Sequence, residues 1–328
     1  VKQLVALACP THQELVVQSD QEAYVCPRGC RYPIVSRIPR FVPATSYADS
    51  FGLQWNAFRR TQLDSFTGTT LSRDRLARIA GGSLDAMRAK TVLEAGCGAG
   101  RFTEVMLAAG ARVFAFDLSS AVEANLENCG HFENYFVCQA DVQCLPVLPG
   151  TFDVVVCVGV IQHTPDPEKT IEKLCSYVRP GGWLYIDHYP PDYPTTPSRR
   201  ALRWLLLRTS PRFALGFCSA LVRLLWPIHR WTWRLLRAPG TRLHWWARKV
   251  TAALLYLSPV VDYQWAYSEL GPQLLRTWAL LDTHDTLTDR FKHLRSESQI
   301  CTQLAKCGMV DVHTQLGGNG IEARARRP

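Results

Sequence analysis

The sequence predicts an α/β fold. Its core is a Rossmann-like, largely parallel sheet ending in a β-hairpin, preceded by a small knuckle and interrupted by a helical insertion. Three observations carry this. Residues Val92–Glu104 read VLEAGCGAGRFTE: an apolar run ending in a carboxylate, a loop with glycine at Gly96, Gly98 and Gly100, and a helix-like segment to Ala109. A second apolar run, Arg112–Phe116, ends in Asp117, close to the ~20-residue spacing at which such folds hold a ribose hydroxyl pair. Near the end, Val310–Thr314 and Ile321–Ala325 alternate around Gly317-Gly318-Asn319-Gly320, which makes a hairpin.

The first element, residues 1–45, contains Cys9-x-x-His12 and Cys26-x-x-x-Cys30, separated by thirteen residues. Thiolates and an imidazole at these spacings suit a tetrahedral zinc site, and so small a knuckle could not fold on its apolar content alone. The alternative is four unconnected residues. The next element, residues 46–89, is a helical cover in which Phe51, Trp55 and Phe58 recur near helical period. Phe51 and Phe58 read as core positions, whereas Tyr47, Gln54 and Trp55 are the better candidates for contact with a ligand.

In residues 90–190 the glycine loop departs from the dinucleotide fingerprint. The third glycine comes one residue early, and Arg101 stands where it would fall. Glu94 just before the loop suits a cationic ligand rather than a pyrophosphate. With Asp117, these residues resemble the class I S-adenosylmethionine (SAM)-dependent methyltransferases. The resemblance continues through Val137–Val142, a third strand followed by Asp141, and through Phe152–His163, a fourth strand and the loop after it. It extends to Arg179–Ile186, the turn and fifth strand; between these, Asp166 can cap a helix with Pro167 at its first position. It implies SAM as cofactor. Glu94, Gly96, Cys97, Gly98, Gly100, Asp117, Leu118, Asp141, Val142 and Gly159 would line its site, Asp141 reaching the adenine amino group. The knuckle, the run Tyr32–Val42 and the segment Phe51-Gly52-Leu53-Gln54-Trp55-Asn56 resemble a subgroup with an N-terminal zinc knuckle. There Tyr47, Gln54 and Trp55 would lie across the mouth of the SAM pocket.

Because the last two strands of this fold form a hairpin, residues 191–290 read as an insertion before a final helix (Ser296–Cys307) within residues 291–328. Between Asp192 and Asp262 there is no Asp or Glu. The stretch carries Arg199, Arg200, Arg203, Arg208, Arg212, Arg223, Arg230, Arg234, Arg237, Arg242, Arg248 and Lys249, with Trp204, Trp226, Trp231, Trp233, Trp245 and Trp246. It is expected to be a substrate lid at the carboxyl edge of the sheet. Three readings stay open: a lid alone, a lid that also meets membrane or lipid, and a nucleic-acid surface. Phe213–Ile228 is short for a membrane span and carries Arg223 and Pro227.

Methyl transfer from a sulfonium is an in-line displacement, so a base is needed only where the acceptor is protonated. His163, just after the fourth strand, and His188, at the end of the fifth, are the candidate catalytic residues. Tyr189, Tyr193, Tyr263, His284 and Asp285 are secondary candidates. No Asn-Pro-Pro-Tyr string follows strand four, which disfavours exocyclic base or amide nitrogens as acceptors. The expected acceptor is an oxygen of a small-molecule, glycan or lipid-linked compound. The alternatives are an rRNA or tRNA methyltransferase, favoured by the net charge of +9, and a non-catalytic scaffold. Most of the twelve cysteines are scattered singly, with Cys138 and Cys157 in core strands. With no secretory pattern at the start, the expectation is a reducing, cytoplasmic setting, with possible membrane association.

Overall fold

The computed structural model describes residues 5–19, 22–43, 45–237 and 245–328. Arg242 of the basic stretch lies outside the described residues, as do the side chains of Arg237, Trp245, Trp246 and Arg248. The described chain divides into two compact units: residues 1–64, 70–193 and 291–328, and residues 65–69 and 194–290.

The first unit opens with a four-stranded antiparallel sheet in sequential order, β1 (Val17–Ser19), β2 (Ala23–Val25), β3 (Arg31–Val35) and β4 (Ile38–Pro39). Helix α1 (Asp49–Ala57) and α3 (Leu71–Ala80) follow, separated by the short α2 (Asp64–Thr67), most of which counts with the second unit. The core then alternates strand and helix: β5 (Thr91–Ala95), α4 (Arg101–Ala108), β6 (Arg112–Asp117), α5 (Ala121–Cys129), β7 (Tyr135–Gln139), β8 (Phe152–Cys157), α6 (Pro167–Tyr177) and β9 (Val178–His188). Strands β5 to β8 are buried almost end to end, as expected for parallel strands covered on both faces. The Asp166 carboxylate accepts from Lys169 N at 3.0 Å and caps α6, with Pro167 beginning the helix.

In the second unit lie α7 (Pro197–Leu206), α8 (Pro211–Arg237), α9 (Trp245–Leu257) and α10 (Gly271–Thr288). Leu206, Ala214, Cys218 and Leu287 form its small apolar core. Two of the arginines are internal fasteners rather than a charged surface. Arg203 pairs with the buried Asp289 at 2.7 Å, and Arg199 donates to the Pro259 and Val260 carbonyls. No helix among the described residues is long and apolar enough to cross a membrane.

The first unit resumes with α11 (Glu297–Lys306), begun by a reciprocal Ser296/Gln299 capping box, and ends in β10 (Val310–Gly317) and β11 (Gly320–Arg326). The seven-stranded sheet has the order β10-β11-β9-β8-β5-β6-β7, with β11 antiparallel to β9 and to β10 and the other pairs parallel. Strand order reverses between β5 and β8, which opens a crevice at their carboxyl ends. Strand β9 runs longer than the sequence predicts, from Val178 through the Pro180-Gly181-Gly182 turn, with a register shift against β8.

Candidate active site

The glycine loop leaves β5 at the crevice and is tied to β6, since Gly96 N and Cys97 N both donate to Phe116 O at 2.9 Å. Gly96 has φ +73°, and a Cβ there would stand 2.3 Å from a Val160 methyl. Gly98, at φ +48°, faces the Trp55 indole, whose Nε1 is 3.4 Å from where a Cβ would lie. Gly96 therefore has no room for a side chain, and at Gly98 the left-handed φ disfavours one, as in a loop that cradles a ligand.

Asp117 closes this side. One carboxylate oxygen accepts from Gly98 N at 3.0 Å and the other from Ser119 N and Oγ at 2.8 and 2.7 Å. Burial pushes its pKa up, while those three donors pull it back. Tyr47 lies within the field of the Asp117 and Asp141 carboxylates: burial first, then their charges, hold its phenol protonated. Asp141 caps the turn after β7, its Oδ1 accepting from Gln143 N at 2.9 Å, with Val142 next to it. Leu118 presents its carbonyl to Gln139 Nε2 at 2.9 Å. Helix α1 covers the loop after β6. Asn56 donates to Ser120 O at 2.9 Å, Gln54 is buried, and Trp55 stands over Gly98.

Glu94 is deeper than its place in the sequence suggests. It is fully buried and accepts the Thr103 hydroxyl proton, within a network in which Asn125 donates to Thr103 Oγ1 and Cys97 O and receives the Tyr135 hydroxyl proton. Burial raises its pKa to about 8; the Thr103 bond opposes this and the Asp117 charge adds to it. At neutral pH the carboxyl keeps its proton unless a cation lies beside it. Cys97, equally buried in the loop, is held as a thiol well above its ordinary range, chiefly by burial.

Across the crevice the groups are aromatic and imidazole. His163, buried in the turn after β8, donates from Nδ1 to Phe291 O at 3.3 Å. Its ring meets Phe51 at 5.4 Å and stands perpendicular to Tyr189, also at 5.4 Å. Tyr189 stacks on Tyr193 at 4.0 Å, and Tyr47 meets Phe291 edge-on at 5.3 Å. His188 donates from Nδ1 to Tyr189 O at 3.0 Å, which fixes the tautomer and makes Nε2 the lone-pair nitrogen. That Nε2 is buried with no partner among the described residues. Burial lowers the pKa of His188, so the ring is neutral at pH 7. Gly159 N donates to Asp187 Oδ1 at 2.6 Å, and Arg75 pairs with the same carboxylate.

Phe51, read from sequence as a core position, packs against the candidate base His163. Sequence reading also passed over Phe291, whose only local signal is its place shortly before a helix cap. The secondary candidates Tyr263, His284 and Asp285 belong to the second unit. Tyr263 packs with Tyr267 and Trp278, and His284 is buried within α10, with burial holding its pKa near 4.

In the turns before β1 and between β2 and β3, Cys9, His12, Cys26 and Cys30 present their ligand atoms within 4.8 Å of one another. His12 Nδ1 lies 3.6, 3.4 and 3.6 Å from the sulfurs of Cys9, Cys26 and Cys30. Tetrahedral zinc with ordinary bond lengths sets sulfur and nitrogen ligands ~3.5 Å apart, so this donor set fits. Tyr32 Oη at 3.0 Å from Cys9 Sγ and Arg28 N at 3.4 Å from Cys26 Sγ add outer contacts to two of the sulfurs.

Fold and crevice together define a Rossmann-like α/β methyltransferase fold, and residues 93–186 match a methyltransferase domain. The chain is similar to the ubiquinone biosynthesis O-methyltransferase of Chromobacterium violaceum, with 32% identity over 148 residues, 44% of this chain and 56% of that one. The enzyme of the same name from Nitrosospira multiformis is 34% identical over 128 residues, 37% and 49% of the two chains. The chain thus spans about half the length of the curated relatives it matches. The magnesium protoporphyrin IX methyltransferase of Synechocystis, solved with bound S-adenosylhomocysteine, aligns at 16% identity and a TM-score of 0.43, covering 86% of this chain and 97% of that one.

Proposed function

We propose that the chain is a SAM-dependent O-methyltransferase whose acceptor is a hydroxyl of a small-molecule, glycan or lipid-linked compound. The observation that carries this reading is the neutral, tautomer-fixed His188 with a buried and unpartnered Nε2 at the carboxyl edge, across from the glycine cradle. SAM, when bound, supplies an electrophilic methyl on a sulfonium. An acceptor oxygen would take that methyl, the sulfur keeping the electron pair of the broken S–CH3 bond. The hydroxyl proton passes to an imidazole. Asp117 would hold the ribose hydroxyls, Asp141 and Tyr47 the adenine end, and the Gly96–Gly100 loop with Glu94 the amino-acid end.

The chemistry of the wall, Phe51, His163, Tyr189 and Tyr193, suits an acceptor with a flat apolar body and excludes water from the transfer. Residues after the insertion return to this wall. Arg295 N donates to Tyr189 O and His293 N to Gln162 O, each at 3.0 Å. Zinc on Cys9, His12, Cys26 and Cys30 would be structural, because four protein ligands leave no open position.

The test is turnover with labelled SAM against panels of phenols, sugars, lipid-linked alcohols and structured RNA. His188→Asn should lower kcat ~100-fold, the usual scale for a lost general base, with SAM affinity unchanged by calorimetry. Because burial holds its pKa below the ordinary 6.5, wild-type turnover should stay level near neutrality and fall only on acidification. Methylation of RNA and of no small hydroxyl compound would replace this reading with an RNA methyltransferase.

A further inference from the structure

We infer that α8 carries a docking surface for an anionic phospholipid bilayer. The helix is apolar on two opposite faces. One face, with Ala214, Cys218, Val222 and Trp226, is buried, and Ala214 and Cys218 belong to the core of the second unit. The other presents Phe213, Leu224, Ile228 and Trp231 to solvent, exposed by 58, 72, 46 and 56%. At 100° per residue these four fall within about 60° of one another, a stripe ~27 Å long. Arg212, Arg223, Arg230 and Arg234 fall within about 40° along one flank of that stripe. Among the described residues none of the four pairs with a carboxylate, and the sequence contains no Asp or Glu from Tyr193 to Val261. At the end of α7, Trp204 (63% exposed) carries the Arg208 guanidinium 4.0 Å over its ring.

An exposed aliphatic and aromatic stripe bordered by an arginine row matches an acyl boundary beside anionic headgroups. A second copy of the chain matches it less well, since mating this face to itself would add cations without a carboxylate to meet them. Nucleic acid would use the arginines but leave Leu224 and Ile228 unmatched, since neither can stack on a base. With no helix among the described residues able to span a membrane, the helix would lie in the plane of the surface. The inference goes beyond the methyltransferase reading and does not depend on it.

Flotation of the full chain with vesicles tests it. Phosphatidylcholine vesicles containing about a quarter phosphatidylglycerol should bind at least ~10-fold tighter than pure phosphatidylcholine, and salt should weaken the preference. Arg223→Gln with Arg234→Gln should erase most of that preference. Leu224→Ser with Trp231→Ser should abolish binding to both vesicles while SAM affinity and the thermal midpoint stay near wild type. Equal binding to both vesicles, or anionic-vesicle binding unaffected by either pair of changes, would overturn the inference. So would a dimer dispersed by Leu224→Ser in a protein that ignores vesicles, which would give the face to a second copy. Calorimetry with SAM on the same preparations reports the cofactor site separately.

Discussion

On the β5–β6–β7 side of the crevice the contacts that hold the glycine loop and Asp117 are made nearby in sequence. Gly98 and Ser119 meet Asp117 across 19 and 2 residues, and Asn125 reaches Cys97 across 28. On the β8–β9 side two of the tethers span several times more chain: His163 meets Phe291 across 128 residues and Arg295 meets Glu168 across 127. The first half is a local strand–loop–helix device built from backbone and carboxylates. The second is assembled from remote segments by aromatic packing and two imidazoles. A cofactor common to many reactions can be gripped by a portable local motif, whereas an acceptor is recognised by whatever the rest of the chain brings to the edge.

The largest expected effect concerns the knuckle, whose four candidate ligands lie outside both halves. Structural zinc sites of this kind contribute roughly 10–16 kcal/mol of metal-binding free energy to folding. Cys26→Ser with Cys30→Ser should therefore abolish one equivalent of zinc by elemental analysis and unfold residues 5–43, seen as rapid amide exchange there. If the wild type is metal-free and folded, the knuckle stands on its sheet alone.

Asp117→Ala should separate the two halves. It removes a charged acceptor for the ribose hydroxyls, worth about 1.5–3 kcal/mol, so SAM affinity should fall at least ~10-fold while the KM for acceptor changes little. Unchanged SAM affinity in calorimetry would mean that Asp117 serves only the loop, through Gly98 and Ser119.

The legibility of each half follows the same division. Gly96, Gly98, Gly100 and Asp117 could be read in the sequence because backbone conformation and strand-end position are short-range properties. His163 and His188 could be placed on strand ends for the same reason. Their environment could not be read: the Nδ1 acceptors are carbonyls of Phe291 and Tyr189, and carbonyls carry no residue signature. Phe51 looked like a core position because helical period reports which face is covered, not what covers it. Only half of Glu94's setting was legible. Its position beside the loop was visible, but not that Thr103 and Asn125 would enclose it.

Glu94 provides a pH test within the cofactor half. Its folded pKa, about 8, lies above the ordinary 4.5, so the folded state holds a proton that the unfolded state gives up between those values. The stability linked to this group is complete below about 4.5 and is lost as pH rises through 8. Glu94→Gln should therefore raise the thermal midpoint of the ligand-free protein relative to wild type at pH 8.5 and less at pH 6. A midpoint difference independent of pH would show that Glu94 is ionised in the folded protein.

The smallest expected effect links the knuckle to the cofactor half through Arg40, next to β4. Its guanidinium donates to Gln139 Oε1 and to Glu123 Oε1, both at 2.9 Å, and the next residue, Phe41, donates its N–H to Gln139 O at 2.8 Å. Gln139 in turn donates to Leu118 O, adjoining Asp117, and ends the strand that leads to Asp141. The four-stranded sheet is thereby fastened to the two strand ends that would carry the ribose and adenine contacts. Arg40 touches neither contact residue through these bonds, so it acts on position. Arg40→Met keeps much of the stem but leaves Gln139 Oε1 without its donor, and should weaken SAM ~2- to 5-fold, less than the loss of a direct charged hydrogen bond. Arg40→Lys should restore part of that affinity, because an ammonium can meet one of the two acceptors but not both in the same geometry. Zinc content should not change in either variant. If Arg40→Met leaves SAM affinity at wild-type strength, the knuckle and the cofactor half are only neighbours, and any effect of zinc loss on SAM binding must travel through unfolding of the knuckle itself.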